Sequence, residues 1–249
     1  MSKNLAGPIK VEAIRSVDEL VKKAKWLEGK TLKQVSDTIK RSDLKSRVKT
    51  KGTVGELIEK GFFGIKKNSK AEPDIPRLYV ELKTCPLKYN KKRTLLSIKE
   101  PLSLNIINYS KEVKCKNLKE SSLYKKNRQI LFVFYIHDKK KKRSLYVIKY
   151  VFLWKIDRRV LKELGPDYAK IIEKIRSGKA HEIHQGQHRY LTLCPKHGSA
   201  HKYTKQPYSK IPAEIRAFRL KNHYMNAIVT RCLGKTLKKE GNTEGWDAD

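Results

Sequence analysis

The stretch that decides the fold of this chain is Glu72-Pro73-Asp74-Ile75-Pro76-Arg77-Leu78-Tyr79-Val80-Glu81-Leu82-Lys83. From Leu78 to Leu82 every second residue is aliphatic, which is the pattern of a half-buried β-strand. Residues two apart on a strand share a face, so Glu81 and Lys83 should point the same way. Asp74 lies just upstream in a proline-rich turn. The stretch therefore predicts two carboxylates and an amine that converge at one point.

Such a cluster suits the hydrolysis of a phosphodiester bond. Mg²⁺ prefers oxygen ligands and keeps several waters, and a bound metal polarises the phosphate and lowers the pKa of an attacking water. We predict Asp74 and Glu81 as metal ligands, with the backbone carbonyl of Val80 as an additional ligand. Lys83 would orient or deprotonate the water, or stabilise the charge that develops on the phosphate.

The spacing alone is weak evidence for catalysis. An acid-x-Lys tripeptide occurs five times in the chain, at residues 28–30, 43–45, 81–83, 112–114 and 138–140. The third differs from the others because an alternating strand carries it and a Pro-Asp turn precedes it. A salt-bridged, solvated strand edge is the alternative interpretation.

Charge is the strongest feature of the composition. The chain has 58 Lys and Arg residues against 25 Asp and Glu residues, a net charge of +33. Such an excess repels itself unless a polyanion offsets it, and nucleic acid is the natural polyanion because each neutralised phosphate releases counterions. A general enrichment in lysine is the alternative explanation, and a membrane surface is a weaker one.

Length and composition indicate a soluble globular protein. A chain of 249 residues with 39% hydrophobic content can form one large domain or two small ones. It has neither an apolar run long enough to cross a bilayer nor the apolar core of a signal peptide, so we expect a cytoplasmic protein. The cysteines match neither a zinc motif nor a disulfide framework and are expected to be buried or half-buried thiols: Cys85, Cys115, Cys194 and Cys232.

Hydrophobic periodicity predicts both helices and strands. The predicted helices are 16–28, 31–39, 52–60, 166–177 and 221–233. The predicted strands are 78–83, the first part of 95–109, 129–136, 145–154 and 190–194. Helices around a central mixed sheet indicate an α/β or α+β fold.

Several blocks of the chain resemble the MutH family, which contains mismatch-repair nicking endonucleases and related type II restriction endonucleases. The blocks are 51–59, 72–84, 103–109, 121–127, 178–182, 206–209 and 216–225. Three segments, Leu-Asn-Ile-Ile-Asn-Tyr (104–109), Gln-Pro-Tyr-Ser (206–209) and Arg-Ala-Phe (216–218), look more like the restriction branch. The resemblance implies a restriction-endonuclease-like PD-(D/E)xK core, Mg²⁺ dependence and cleavage of double-stranded DNA at GATC in a prokaryotic cytoplasm.

The resemblance also implies functional residues. Asp74, Glu81 and Lys83 match the catalytic core of the family. Glu59 matches a helical acid near the metal site, with a surface glutamate as the alternative. Lys126 matches a lysine that approaches the active site and the DNA, with one more exposed lysine as the alternative.

DNA recognition is expected in the C-terminal half. Cys194-Pro195-Lys196 matches the segment where the repair enzymes carry Arg-Pro-Lys, and an arginine can bind guanine with two hydrogen bonds whereas a thiol cannot. Arg219 stands where the repair enzymes present a tyrosine that senses adenine methylation, so the methylation response does not transfer. The predicted DNA-contacting residues are Lys196, His197, Lys202, Arg219 and Lys221.

We expect one MutH-like domain over residues 1–237, followed by a flexible polar tail at 238–249. The catalytic half would cover about 1–135 and the recognition half about 136–237. The leading interpretation is a type II restriction endonuclease. A mismatch-repair nickase and a catalytically silent DNA-binding domain are the alternatives. The chain could dimerise on a palindromic site, cut the strands one at a time, or be a fragment.

Overall fold

The structure is a computed structural model that describes residues 8–39, 53–65, 71–196 and 202–248. Its α-helices are Val17–Ala24 (α1), Leu32–Thr38 (α2), Thr53–Glu56 (α3), Tyr109–Glu112 (α4), Ser122–Asn127 (α5), Arg158–Arg176 (α6) and Asn222–Leu233 (α7). A π-helical turn, Leu57–Phe62, continues α3. Short 3-10 helices are Val11–Ala13, Lys25–Leu27, Pro76–Leu78, Leu118–Glu120, Arg143–Leu145, Ala180–Glu182 and Gln185–Gln187.

The strands are distributed over three sheets. They are Glu81–Tyr89 (β1), Leu95–Ile98 (β2), Leu102–Ile106 (β3), Gln129–Ile136 (β4), Ile148–Lys155 (β5), Leu191–Pro195 (β6), Tyr203–Gln206 (β7), Ser209–Glu214 (β8), Arg216–Leu220 (β9), Lys238–Glu240 (β10) and Thr243–Asp247 (β11). The sheets have the orders β10-β11-β2-β1-β4-β5, β3-β9-β6 and β7-β8.

The described residues form two compact units, each discontinuous in sequence. The first takes its residues from Met1–Glu100, Gln129–Trp154 and Val229–Asp249, and the second from Pro101–Arg128 and Lys155–Ile228. The predicted division into consecutive halves near residue 135 is wrong, because that position lies inside β4. Pairing with β1 keeps β4 in the first unit.

The six-stranded sheet of the first unit is mixed, which confirms the predicted α+β class with a central mixed sheet. Strand β1 pairs antiparallel with β2 and parallel with β4, where Glu81 lies opposite Ile130. The continuous apolar run of β4 is almost wholly buried, as expected for a central strand. Leu131 and Val133 from β4 pack into one core with Ile58 and residues of α1 and α2. The start of β1 is therefore paired with a strand that is fixed in the hydrophobic core.

The first two predicted helix starts, at Ser16 and Thr31, are confirmed by their capping contacts. The Ser16 hydroxyl accepts a hydrogen bond from the Glu19 amide at 3.1 Å, and the Glu19 carboxylate accepts one from the Arg15 amide at 2.8 Å. Thr31 and Gln34 form a capping box at the start of α2. Such reciprocal bonds satisfy backbone donors that the first helical turn leaves unpaired.

The second unit contains the three-stranded antiparallel sheet, the β7–β8 hairpin and α6. The predicted start of this helix at Pro166 is wrong, since α6 begins at Arg158, where the Asp157 side chain accepts a hydrogen bond from the Val160 amide at 2.9 Å. A side-chain cap is a strong start signal, and the helix continues through Pro166. No helix within the described ranges is long and apolar enough to cross a membrane.

The predicted flexible tail is also wrong for residues 238–248. Strands β10 and β11 form a hairpin, and β11 pairs antiparallel with β2. Trp246 is fully buried, and its indole N–H donates to the Thr230 hydroxyl at 2.9 Å. Gly245 passes so close to β2 that a Cβ there would lie 2.2 Å from the Leu96 carbonyl oxygen. An apolar anchor and backbone pairing therefore outweigh the polar composition of this segment.

The cysteines follow the expectation with one exception. Cys85 and Cys194 are buried, Cys115 is half-buried and all four thiols are free. Burial raises the pKa of Cys85 to about 12, so this thiol is inert. Cys232 is exposed, which corrects the prediction for that residue.

Candidate active site

A tight turn brings Asp74 back beside the start of β1. Ile75 and Val80 exchange backbone hydrogen bonds of 2.9 and 3.2 Å across the turn. Between them Pro76 begins a 3-10 helix, and Tyr79 adopts a left-handed conformation with φ 54°. The Gln129 side chain holds this turn by donating to the Leu78 carbonyl at 3.1 Å. The predicted strand therefore starts at Glu81 rather than at residue 78, because the turn occupies residues 76–79.

Asp74 and Glu81 hold each other in place through backbone amides. The Asp74 amide donates to Glu81 Oε2 at 3.1 Å, and the Leu82 amide donates to Asp74 Oδ2 at 2.9 Å. Glu81 is 1% exposed and Asp74 is half-buried. A carboxylate offers about four lone-pair sites, so these bonds leave capacity for a cation. The structure thus brings together the two acids that the sequence analysis paired.

Lys83 completes this cluster. Its Nζ lies 2.6 Å from Glu81 Oε1. Burial alone lowers the pKa of Lys83, but the neighbouring carboxylates of Glu81, Asp74 and Glu59 more than offset this effect and raise the pKa above its usual range. Lys83 is therefore an ammonium ion in this arrangement.

Glu59 lies at the contact between α3 and β1. It belongs to the π-helical turn that continues α3. A Cβ at Gly55 would lie 3.4 Å from Thr84 Oγ1 and 3.5 Å from Glu59 Oε1, so both oxygens are close to the same point on the helix. The charge of Glu59 also acts on Lys83. The acid predicted near the metal site is thus next to β1.

The oxygen donors fit a hard divalent cation. No three His, Cys, Asp or Glu side chains come together as a metal-binding group in residues 8–39, 53–65, 71–196 and 202–248. Two carboxylates with water as the remaining ligand suit Mg²⁺, which keeps several waters when protein-bound. The Val80 carbonyl accepts a hydrogen bond from the Ile75 amide at 2.9 Å, and a carbonyl oxygen has a second lone pair for a ligand.

Lys126 belongs to the other unit. It lies near the end of α5 and is half-buried. Its predicted approach to the active site stays a prediction.

The predicted DNA-contacting residues that the structure describes belong to the second unit, and their surroundings differ. Lys196 and Lys202 are exposed, whereas Arg219 is half-buried on β9, with Nη1 3.5 Å from Gln185 Oε1. The Lys221 ammonium donates to the His188 carbonyl, so this side chain already has an internal partner. His197 lies outside the described residues.

Cys194, at the position of the family arginine, faces the interior. It is 1% exposed, and its Sγ lies 3.8 Å from Ser103 Oγ. A buried thiol cannot reach a base edge, which agrees with the chemical argument from the sequence.

Sequence reasoning missed one exposed feature of this unit, the β7–β8 hairpin. Tyr203, Tyr208 and Ile211 on it are 54%, 74% and 55% exposed. The available signal was Pro207 within a short polar stretch, because proline fixes φ at a value that suits the second position of a turn.

Sequence comparisons show which known proteins this chain is similar to. The family model described as DNA mismatch repair enzyme MutH matches residues 63–167, which include the Asp74, Glu81 and Lys83 cluster. The type II restriction enzyme Sau3AI of Staphylococcus aureus is 37% identical over 84% of this chain. The match covers 41% of Sau3AI, so the chain spans about two-fifths of that relative.

Two repair proteins are matched over most of their own length. The DNA mismatch repair protein MutH of Shewanella woodyi is 27% identical over 88% of this chain and 94% of that protein. The corresponding protein of Actinobacillus pleuropneumoniae serotype 5b is 29% identical over 73% of this chain and 77% of that protein. Over residues 63–167 the chain matches the MutH family, whose fold is restriction-endonuclease-like, and its similarity to Sau3AI and to the MutH proteins extends over most of its length.

Proposed function

We propose that this chain is a type II restriction endonuclease that hydrolyses phosphodiester bonds in double-stranded DNA at GATC, with Mg²⁺ as its cofactor. The observation that carries the proposal is the bonded cluster of Asp74, Glu81 and Lys83 at the start of β1. The net charge of +33 supports a polyanionic substrate. A bacterial nuclease of this kind would act in the cytoplasm.

In this proposal Asp74 and Glu81 bind the metal, and the Val80 carbonyl is a further ligand. Bound there, Mg²⁺ would supply a Lewis acid for the phosphate and a coordinated water of lowered pKa. The backbone bonds between the two acids hold their carboxylates in position before any ligand arrives, and preorganised groups cost no rearrangement during the reaction.

Of the three roles predicted for Lys83, its raised pKa favours charge stabilisation. An ammonium ion next to Glu81 can donate to a phosphate oxygen and offset the negative charge that builds up there. Glu59 contributes a further negative charge, which keeps Lys83 protonated and can bind a water of the metal. Lys126 keeps its proposed role as a lysine that acts on the DNA phosphate.

DNA binding and recognition would come from the second unit. Lys196 and Lys202 are exposed and suited to phosphate contacts, and Arg219 carries the donor set that can read guanine. Lys221 would contribute to DNA binding indirectly, because its ammonium group holds the backbone carbonyl of His188 in place. A homodimer on a palindromic site would explain cleavage of both strands.

A nicking enzyme of mismatch repair is the second candidate. It is favoured by the match to 94% of the Shewanella woodyi repair protein. The restriction enzyme is preferred because identity to Sau3AI is higher, at 37% over 84% of the chain.

Incubation of a GATC-containing supercoiled plasmid with the protein and Mg²⁺ tests the proposal. Linear products whose ends map to GATC support a restriction enzyme, and nicked circles alone support the repair candidate. A plasmid without GATC and a reaction with EDTA are the controls. A gel shift without cleavage under any divalent metal would contradict both and favour a silent DNA-binding domain.

A further inference from the structure

The β7–β8 hairpin has an unusual tip. Its two-residue turn is Pro207-Tyr208, and Tyr208 has a left-handed backbone with φ 62°. This conformation suits glycine or asparagine and is strained for an aromatic residue. The chain nevertheless places there a tyrosine that is 74% exposed. A strained residue with an exposed apolar side chain indicates a function rather than a folding role.

The hairpin is held firmly behind this tip. The Gln206 side chain accepts a hydrogen bond from the Ala180 amide at 2.8 Å and donates to the Ile211 carbonyl at 2.7 Å. Gly178 passes so close that a Cβ there would lie 2.4 Å from the Tyr208 carbonyl oxygen. Tyr208 is therefore presented on a fixed support and not on a loose loop.

The exposed surface of the hairpin is apolar and basic at once. Tyr203 and Ile211 are more than half exposed. The exposed lysines of the hairpin and its flank are Lys202, Lys205 and Lys210. Exposed apolar side chains on a soluble protein mark a binding surface, and lysines between them favour a polyanion.

We infer that this hairpin is a DNA-contacting wedge in which Tyr208 and Ile211 meet the bases while Lys205 and Lys210 contact phosphates. The inference rests on the proposed function, whose substrate is the duplex. Apolar side chains that enter a base step unstack it and kink the DNA, and an aromatic ring gains affinity by stacking on a base without reading its sequence. The wedge thus adds affinity and bends the site, while other residues select the sequence.

Substitution of Tyr208 by glycine tests the wedge without risk to the fold. Glycine removes the ring and relieves the left-handed strain, so the melting temperature should stay the same or rise. Affinity for a GATC duplex, measured in EDTA by fluorescence anisotropy, should fall about tenfold if one base contact is lost. Tyr208→Phe keeps the ring and should bind like the wild type. Leu145→Ala, which removes a 45% exposed apolar side chain of the first unit, is the matched control and should change nothing.

Salt dependence separates the ring from the lysines. Tyr208→Gly should leave the slope of log affinity against log salt unchanged, whereas Lys210→Gln should reduce it by about 1. A 2-aminopurine placed in turn at each adenine of the duplex should brighten on binding at one step, and only with the ring present.

Three results would overturn the wedge. Tyr208→Gly could bind DNA and cut it like the wild type, it could lower affinity only by changing the salt slope, or it could abolish self-association while DNA affinity stays unchanged. The last result would make the hairpin a contact between two copies of the chain. A wild-type protein that neither binds nor cuts DNA would instead remove the proposed function.

Discussion

The catalytic segment, residues 73–83, and the recognition segment, residues 188–196 and 202–221, differ in how far apart along the chain their bonded residues lie. In the catalytic segment the bonds between Asp74 and the start of β1 join residues seven or eight positions apart. In the recognition segment Lys221 bonds to His188, 33 positions away, and β6 pairs with β9 across the intervening hairpin. The first kind of geometry is set by local sequence, and the second depends on the tertiary structure.

Replacement of Asp74 gives the largest expected effect and tests the local segment. Asp74→Asn keeps the acceptor for the Leu82 amide but removes the charge that would bind the metal. Loss of metal stabilisation worth several kcal/mol should slow plasmid cleavage about 1,000-fold. Binding to a GATC duplex should persist, as measured by gel shift in EDTA. Glu72→Gln changes an exposed acid two residues away and is the control; equal loss in both variants would contradict the assignment.

Replacement of Trp246 probes a long-range contact that local pattern did not reveal. Trp246→Ala should lower the free energy of unfolding by about 3 kcal/mol, because a large buried ring is lost. Urea denaturation followed by circular dichroism measures this value. Trp26→Ala, at a half-buried indole of the same unit, should cost less. An unfolding curve of Trp246→Ala that overlays the wild type would show that residues 243–247 do not pack on β2.

Lys83 should matter less than the metal ligands. Lys83→Met keeps the length of the side chain and removes its charge, so cleavage should slow about 100-fold through loss of one preorganised donor. Single-turnover rates at saturating protein isolate this step from binding. Lys88→Met, an exposed lysine on the same strand, serves as the control. A cleavage rate of Lys83→Met equal to that of the control would remove Lys83 from the mechanism.

Two lysines of the recognition segment should behave differently. Lys196 is exposed, so Lys196→Gln should reduce the salt slope of DNA binding by about 1 through loss of one phosphate contact. Lys221 has an internal acceptor, so Lys221→Gln should lower thermal stability and leave the salt slope unchanged. Similar salt slopes for the two variants would mean that the internal bond of Lys221 does not persist on DNA.

The smallest effect is expected at Cys194. The thiol is buried against Ser103, so Cys194→Ala should not change sequence preference in a competition between GATC and variant duplexes. Altered preference would show that β6 opens to expose this position to the bases.

Helices and strands whose signal is local were predicted correctly, whereas their exact ends often were not. Alternation near Glu81 and the apolar run of β4 were read from the sequence because each signal is contained within one element. The strand β1 starts three residues later than predicted, because Tyr79 adopts a left-handed backbone conformation in the preceding turn. At a non-glycine residue this conformation leaves no signal in the sequence. Pro166 is predicted to lie in the first turn of α6, but the helix begins eight residues earlier, at Arg158, where Asp157 supplies the cap.

Contacts between segments that are far apart in the chain could not be predicted from the sequence. The pairing of β11 with β2 could not be inferred from a polar tail, although Trp246 is an apolar residue within it. The bond of Lys221 to His188 and the contact of Cys194 with Ser103 likewise depend on neighbours far along the chain. Roles of candidate residues therefore need experiments where the geometry is long-range.

The most direct test of the metal-centred account is the location of a bound ion. Manganese, which takes oxygen ligands as magnesium does, would be soaked into crystals of the protein and located by its anomalous scattering. One peak is expected between the carboxylates of Asp74 and Glu81, and no peak is expected there in Asp74→Asn. A peak elsewhere, or none at this position in the wild type, would contradict it.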